Sequence, residues 1–163
     1  MIKVENIKYL EITQLVFLIG TSPKDTIYEK HKLSILIFFL KNPIFLEKLC
    51  NLFKPILSKN LKISNYEKYN LLYEEDRISI WNSKNDLYLA YLVSRNLVST
   101  NITDKGYMFK LTPEGSRLFN KLKSEKTMKL DYQRSLILNK ILGKKTFPEI
   151  KKVIIENFEE IAL

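Results

Sequence analysis

The stretch that decides the fold runs from Leu89 to Phe119 and reads LAYLVSRNLVSTNITDKGYMFKLTPEGSRLF. Its start belongs to an apolar helix that we predict from Asp86 to Leu97. Two β-prone runs follow, Leu97 to Ile102 and Tyr107 to Leu111, and the short loop between them contains Gly106. A glycine in a short loop between two such runs predicts a β-hairpin.

The residues after the hairpin predict another helix. Thr112 can cap a helix N-terminus, and Pro113 suits the first helical position. Apolar residues lie on one side of this helix, whereas Arg117 and Lys121, four residues apart, lie on another. A helix, a two-stranded wing and a basic exit helix, together spanning about Asp86 to Lys123, predict a winged-helix unit.

The segments before this unit predict helices and one polar insertion. Residues 5–19 have apolar residues near helical spacing, and residues 27–41 are apolar on every side, which is typical of a buried helix. Residues 44–53 form an amphipathic helix that ends before Pro55. Residues 58–83 are polar and tyrosine-bearing and contain an acidic cluster at 74–76, so we interpret 54–83 as an insertion, with a short helix around 67–73.

Two helices are predicted after the winged-helix unit. The first covers 129–142 and ends at Gly143. The second opens with a capping box over 146–149. The predicted fold class is therefore mainly α (α+β): a winged helix with a two-stranded wing and helical extensions at both ends. We expect one domain over 1–163, with a winged-helix core at 27–124, the insertion at 54–83 and a C-terminal helical extension at 125–163.

The positive charge of the chain is concentrated near its C-terminal end. The net charge is +9, and residues 117–152 hold 11 basic and three acidic residues. Such a block favours nucleic acid or an acidic protein as partner, although a solvated basic surface remains an alternative. Lysine outnumbers arginine 23 to four. Because arginine is the usual reader of guanine edges, we expect any DNA contact to be independent of sequence.

Enzymatic activity is not expected from this sequence. It has one histidine, His31, and one cysteine, Cys50, which is too few for a zinc site, and it has no glycine-rich phosphate loop. We predict an exposed or capping role for His31 and a core position for Cys50. No catalytic residue, metal ligand or cofactor is predicted. The single cysteine, the absence of a signal peptide and the short apolar runs predict a cytoplasmic protein without membrane contact.

The phrase from Leu89 to Val98, followed by Leu111-Thr112-Pro113-Glu114-Gly115, resembles the winged-helix pattern. MarR- and PadR-type repressors share it. The overall plan also resembles the kite subunits of SMC-type ATPases and the small middle subunits of three-component ABC-ATPase and Lamassu-type defence systems. That resemblance implies an accessory subunit which bridges a large SMC- or ABC-type ATPase, an effector and double-stranded DNA. A dimeric, DNA-binding transcriptional regulator is the alternative.

The candidate site residues fall into two groups. Lysine and arginine side chains of the wing and the C-terminal part are predicted to contact DNA phosphates: Lys105, Lys110, Arg117, Lys121, Lys123, Lys126, Lys144 and Lys145. The helix before the wing is too apolar to read base edges, so it is predicted to face a protein partner or the core. The candidate interface residues are Tyr88, Tyr91, Ile150, Ile154 and Phe158. For the last three, packing within the chain is the alternative.

Overall fold

The computed structural model describes residues 4–69 and 78–161 of the chain. Eight helices and three strands are assigned within these ranges. In chain order they are α1 (Val4–Thr21), β1 (Thr26–Tyr28), α2 (Lys30–Lys41), α3 (Pro43–Phe53), α4 (Asn65–Tyr69), α5 (Ile78–Ser94), β2 (Val98–Thr103), β3 (Gly106–Leu111), α6 (Pro113–Ser124), α7 (Lys129–Leu142) and α8 (Phe147–Asn157). The predicted fold class, mainly α with a small sheet, is confirmed.

The core is built around α1, α2 and α7. Every side chain of α1 from Leu15 to Ile19 is fully buried, and in α2 all residues from Lys32 to Leu40 are buried. A helix that is apolar on all sides must be covered on all sides. Accordingly α2 contacts α1, α5, α7 and α8. The burial predicted for residues 27–41 is therefore confirmed from Lys32 onward.

The sheet has three strands, in the order β1-β3-β2, and both pairs are antiparallel. The predicted hairpin is present as β2 and β3. The predicted helix start at residue 27 was wrong, because Thr26–Tyr28 forms β1 and pairs with Met108–Lys110, and α2 begins at Lys30. Strand β1 adds a third strand beside the two-stranded wing. A three-residue strand has no periodicity of its own. Its partner lies far along the chain, so no local pattern reveals it.

Local capping signals placed most helix ends correctly. Thr112 Oγ1 accepts a hydrogen bond from the Gly115 amide at the start of α6, and the predicted capping box of α8 is formed between Thr146 and Glu149. The helix before the wing is longer than predicted. It begins at Ile78, and it ends where Asn96 adopts a left-handed conformation (φ 57°) that asparagine tolerates.

The segment that we predicted as a C-terminal extension packs inside the core. Helix α7 contacts α1, α2, α3 and α6. The Arg134 guanidinium is buried, donates to the Leu61 carbonyl oxygen at 2.9 Å and forms an ion pair with Glu67 at 2.7 Å. Asn139 Nδ2 donates to the Leu18 carbonyl oxygen at 3.0 Å. These contacts join α7 to α1, to the 3₁₀ segment Pro55–Leu61 and to α4, so α7 packs against the same core as the winged-helix elements.

Part of the predicted insertion lies outside the described residues. Within it the structure shows a 3₁₀ segment, Pro55–Leu61, and the short helix α4, which begins two residues before the predicted one. The acidic cluster at 74–76 falls among the residues that are not described, as does the remainder of the predicted helix.

Candidate binding surfaces

An apolar groove lies between α5 and the hairpin. It has a volume of about 440 Å³ and is lined mainly by apolar and aromatic side chains, namely Leu89, Ala90, Val93, Tyr107 and Phe109. An ion pair between Lys30 Nζ and Asp86, at 3.2 Å, contributes polar atoms to its wall. In a DNA-reading winged helix, the helix before the wing presents polar side chains to bases. Here the corresponding surface is apolar.

Exposed apolar side chains extend this groove onto the hairpin. Ile102 is 78% exposed and pairs across the strands with Tyr107, which is 49% exposed. Directly paired residues of two antiparallel strands lie on the same face of the sheet, so the two side chains are neighbours. Val93 on α5 is 37% exposed. Together Ala90, Val93, Ile102 and Tyr107 form what we call the groove surface.

The two tyrosines of the predicted interface are both half-buried. Tyr88 packs against the core, and burial together with the nearby Glu11 carboxylate raises the pKa of its phenol. Tyr91 also packs against the core, and the Arg95 guanidinium lies 5.4 Å from its ring centroid. Both tyrosine side chains therefore pack mainly against the core rather than facing a partner. The exposed residues of the groove surface were not predicted.

The three predicted interface residues of α8 lie in the core. Ile150 and Phe158 are fully buried and Ile154 is 2% exposed. The Phe158 ring packs edge-on against Phe39 of α2, with centroids 5.3 Å apart. Their position corresponds to the alternative of packing within the chain, so they offer no surface to a partner.

The predicted basic residues divide among three places: α6 with the turn after it, strand β3 and one cavity. Arg117, Lys121 and Lys123 are exposed along α6, and Lys126 follows in the next turn. Arg117 forms an exposed ion pair with Glu114 in the same helix at 3.1 Å. Exposed pairs of this kind contribute little to stability. Lys110 is exposed on β3, beside Thr26 and Ser99.

The other three basic residues share one cavity of about 490 Å³. Lys105 reaches it from the hairpin turn, and Lys144 and Lys145 reach it from the turn between α7 and α8. A fourth lysine, Lys32 of α2, also lines this cavity, although it is only 8% exposed. We call this group the lysine cavity. Lys32 was not predicted; the signal was a basic residue inside an otherwise apolar helix.

Lys32 has an unusual environment for a lysine. Its ammonium donates to the carbonyl oxygen of Gly143 at 2.7 Å. Burial lowers the pKa of Lys32, and the charge of Glu149 partly offsets this by raising it. Glu149 itself is held by the Thr146 backbone amide, which lowers the pKa of its carboxyl group. The chain therefore keeps a desolvated cation at the wall of a cavity.

The remaining reactive side chains have structural surroundings. His31 is exposed, its backbone amide donates to Glu29, and its ring lies 5.5 Å from the Phe147 ring. Cys50 is buried, and burial, with a smaller contribution from Glu47, raises the pKa of its thiol to about 11. Neither environment activates a nucleophile or a base.

Among residues 4–69 and 78–161, no three His, Cys, Asp or Glu side chains are grouped so that they could hold a metal ion. In the same part of the chain, no helix combines the length and the apolar character that crossing a bilayer requires.

Comparison with known proteins gives one match. The family described as ABC-three component (ABC-3C) system Middle Component 4 matches residues 18–148, which run from α1 to the start of α8. No curated protein and no solved structure matches significantly. The matched range includes α5, the hairpin, α6 and α7, and therefore both the groove surface and the lysine cavity.

Proposed function

Because the chain belongs to the ABC-three component system Middle Component 4 family, we propose that it is a non-enzymatic subunit that bridges the ATPase and the effector of such a system in anti-phage or anti-plasmid defence. Membership makes it an accessory component that works with the other components of an ABC-3C system. The bridging role, the two partners and the surface they use are the proposal.

The observation that carries the proposal is the groove surface. It places exposed apolar side chains from two elements beside one another, around a groove of about 440 Å³. Contiguous exposed apolar area of this kind marks sites where another protein binds. Aromatic residues such as Tyr107 are enriched at the centres of such interfaces. We therefore propose that another component of the system docks between α5 and the hairpin.

Co-expression of this chain with the ATPase and the effector of its own system tests the proposal. We expect one complex of fixed stoichiometry on size-exclusion chromatography, and pairwise omission identifies the component that contacts this chain. The double variant Val93→Asp/Ile102→Asp places two charges in the groove surface. It is expected to weaken that contact at least about a hundredfold, since buried unpaired charges are strongly unfavourable.

A matched control comes from α8. Ile155 is 52% exposed and lies away from the groove surface, so Ile155→Asp should leave the complex intact. Circular dichroism should show that both variants stay folded. A chain that elutes alone as a dimer and protects one palindromic operator would overturn the subunit proposal in favour of a MarR- or PadR-type regulator. Unchanged complex formation by the double variant would overturn the assignment of the groove surface.

We further propose that the basic residues on α6 contact duplex DNA through its phosphates. The supporting observation is that Arg117 and Lys121 are exposed and lie four residues apart, on one side of the helix. Fluorescence anisotropy with a DNA duplex of arbitrary sequence at several salt concentrations tests this. For Arg117→Gln/Lys121→Gln, we expect weaker binding and a salt dependence smaller by about 1.8 in log–log slope, or about 0.9 per lost phosphate contact. The exposed Lys151→Gln is the control, and an unchanged slope in the double variant would contradict the proposal.

A further inference from the structure

We propose that the lysine cavity binds the phosphate group of a nucleotide. The cavity lies between β1, the hairpin turn and the turn that joins α7 to α8. Its volume of about 490 Å³ is within the range of small-molecule binding sites. This proposal is independent of the bridging role, because a phosphate site does not require the groove surface.

The burial of Lys32 points to an anionic ligand. Removing an ammonium group from water is costly unless the charge is compensated. Within the described part of the chain, its only hydrogen bond is to the neutral carbonyl of Gly143, which leaves two of its three donors available. The Glu149 carboxylate acts on it only through its charge and is bound to the Thr146 amide. A phosphate oxygen would supply the missing counter-charge and accept the remaining donors.

The other walls of the cavity also carry positive charge. Lys105, Lys144 and Lys145 line the cavity, and none of the three forms an ion pair within residues 4–69 and 78–161. Glu29 is the single acidic residue among the lining side chains, and it accepts a hydrogen bond from the His31 amide. Even with the Glu149 carboxylate counted beside Glu29, the four lysines leave the cavity with a net positive charge. Lysines binding as point charges are common phosphate ligands.

The aromatic lining of the cavity favours a nucleotide over inorganic phosphate. Tyr28 is 38% exposed at the cavity, and the Lys105 ammonium lies 5.4 Å from its ring centroid. Phe147 forms another part of the wall and is backed by the His31 ring. A site that combines a few charged groups with apolar and aromatic walls fits a ligand with both a phosphate and a flat ring. Bases stack favourably on such aromatic side chains.

The phosphate group that binds in this cavity can come from two sources, a free nucleotide or the terminal phosphate of a nucleic-acid strand. Isothermal titration calorimetry of the full chain with AMP, and with adenosine as the uncharged control, tests for the phosphate site itself. We expect AMP to bind with one site per chain and adenosine to bind at least about tenfold more weakly, since hydrogen bonds to charged groups are the stronger ones. Competition by a 5′-phosphorylated oligonucleotide, but not by its 5′-hydroxyl counterpart, would assign a strand end; competition by neither would assign a free nucleotide.

Substitutions of the lining lysines test whether AMP binds in this cavity. Lys105→Gln/Lys144→Gln removes two exposed charges without touching the core, and we expect it to weaken AMP binding at least about tenfold. Arg117→Gln/Lys121→Gln removes the same charge from α6 and should leave AMP binding unchanged. Lys32→Gln is a third variant, used only if its thermal unfolding shows that it folds. The proposal is overturned if AMP and adenosine bind equally, if neither binds at millimolar concentration, or if both double variants lose binding to the same extent.

Discussion

Helices α8 and α5 carry similar apolar side chains and use them in opposite ways. On α8, the stripe of Ile150, Ile154 and Phe158 is enclosed by the rest of the chain. On α5, Val93 stays exposed and continues into the exposed Ile102 and Tyr107 of the hairpin. The residue types do not distinguish the two cases. What distinguishes them is whether another element of the same chain covers the stripe, which is a property of the tertiary structure.

The covering of α8 is aromatic. Phe158 contacts Phe39 of α2 and Phe45 of α3, with centroid distances of 5.3 and 6.2 Å. The Lys48 ammonium lies 4.8 Å from the Phe158 ring centroid on the solvent side. The groove beside α5 has no comparable cover among the described residues, because the hairpin forms its opposite wall and leaves it open. The apolar side chains of α8 are therefore excluded as a docking surface, whereas those beside α5 remain a candidate.

The largest expected effect tests the covered side. Phe158→Ala should lower the free energy of unfolding by about 3–5 kcal/mol, because it leaves a cavity beside two other phenylalanine rings. Ile155→Ala on the same helix, where the side chain is 52% exposed, should change it by less than about 0.5 kcal/mol. Urea denaturation measures both. Equal, small losses would show that the α8 stripe is not part of the core.

Substitution of Arg134 tests the polar contacts that attach α7 to the 3₁₀ segment Pro55–Leu61 and to α4. Arg134→Ala should cost about 3 kcal/mol, since it leaves the Leu61 carbonyl and the Glu67 carboxylate without their partner. The control is Arg117→Ala, which removes an exposed ion pair and should cost less than about 1 kcal/mol. Chemical denaturation of both variants gives the difference. Similar losses of unfolding free energy in the two variants would mean that the contacts of Arg134 with Leu61 and Glu67 do not stabilise the fold.

Gly115 tests the joint between the hairpin and α6. A Cβ atom at this position would lie 1.9 Å from the Leu97 carbonyl oxygen, and a backbone atom cannot move aside as a flexible side chain can. Gly115→Ala should therefore cost about 1–3 kcal/mol through overpacking, despite a gain of up to about 1 kcal/mol in helix propensity. Thermal unfolding checks this, with the exposed Asn120→Ala as control. A stabilised Gly115→Ala variant would show that the joint is loose.

The smallest effect is expected on the open side. Ile102→Ala removes a side chain that is 78% exposed and should change the free energy of unfolding by less than about 0.5 kcal/mol. Urea denaturation of the isolated chain measures it, beside Phe158→Ala as the covered counterpart. A loss of about 2 kcal/mol or more would mean that Ile102 is covered within the chain. The groove surface would then not be open to a partner.

Local chemistry explains which parts of the fold the sequence could reveal. Thr112 accepts from the Gly115 amide, and Thr146 and Glu149 form a capping box, so each helix start is satisfied locally. Neighbouring residues are therefore enough to predict these boundaries. Gly143 likewise follows α7 directly. Strand β1 could not be found in this way, because its existence depends on hydrogen bonds to β3.

The candidate sites were predicted in part for the same reason. Lys105, Lys144 and Lys145 stood out as basic residues in turns, but nothing in the sequence places the hairpin turn beside the turn that follows α7. Lys32 was missed because its neighbours predict only a buried helix. The stripe of α8 was visible as a pattern, whereas its covering by α2 and α3 depends on contacts between distant segments.

The pairing of β1 with β3 has a consequence for the synthesis of the protein. Thr26 leaves the ribosome long before Lys110, with which it pairs. The N-terminal helices can therefore collapse while β1 still lacks its neighbour, and the sheet closes only after the hairpin has emerged. Such non-local pairing slows folding relative to helix formation. A nascent chain halted before residue 106 would expose an unpaired strand, which makes the hairpin the step that ends its exposure to aggregation.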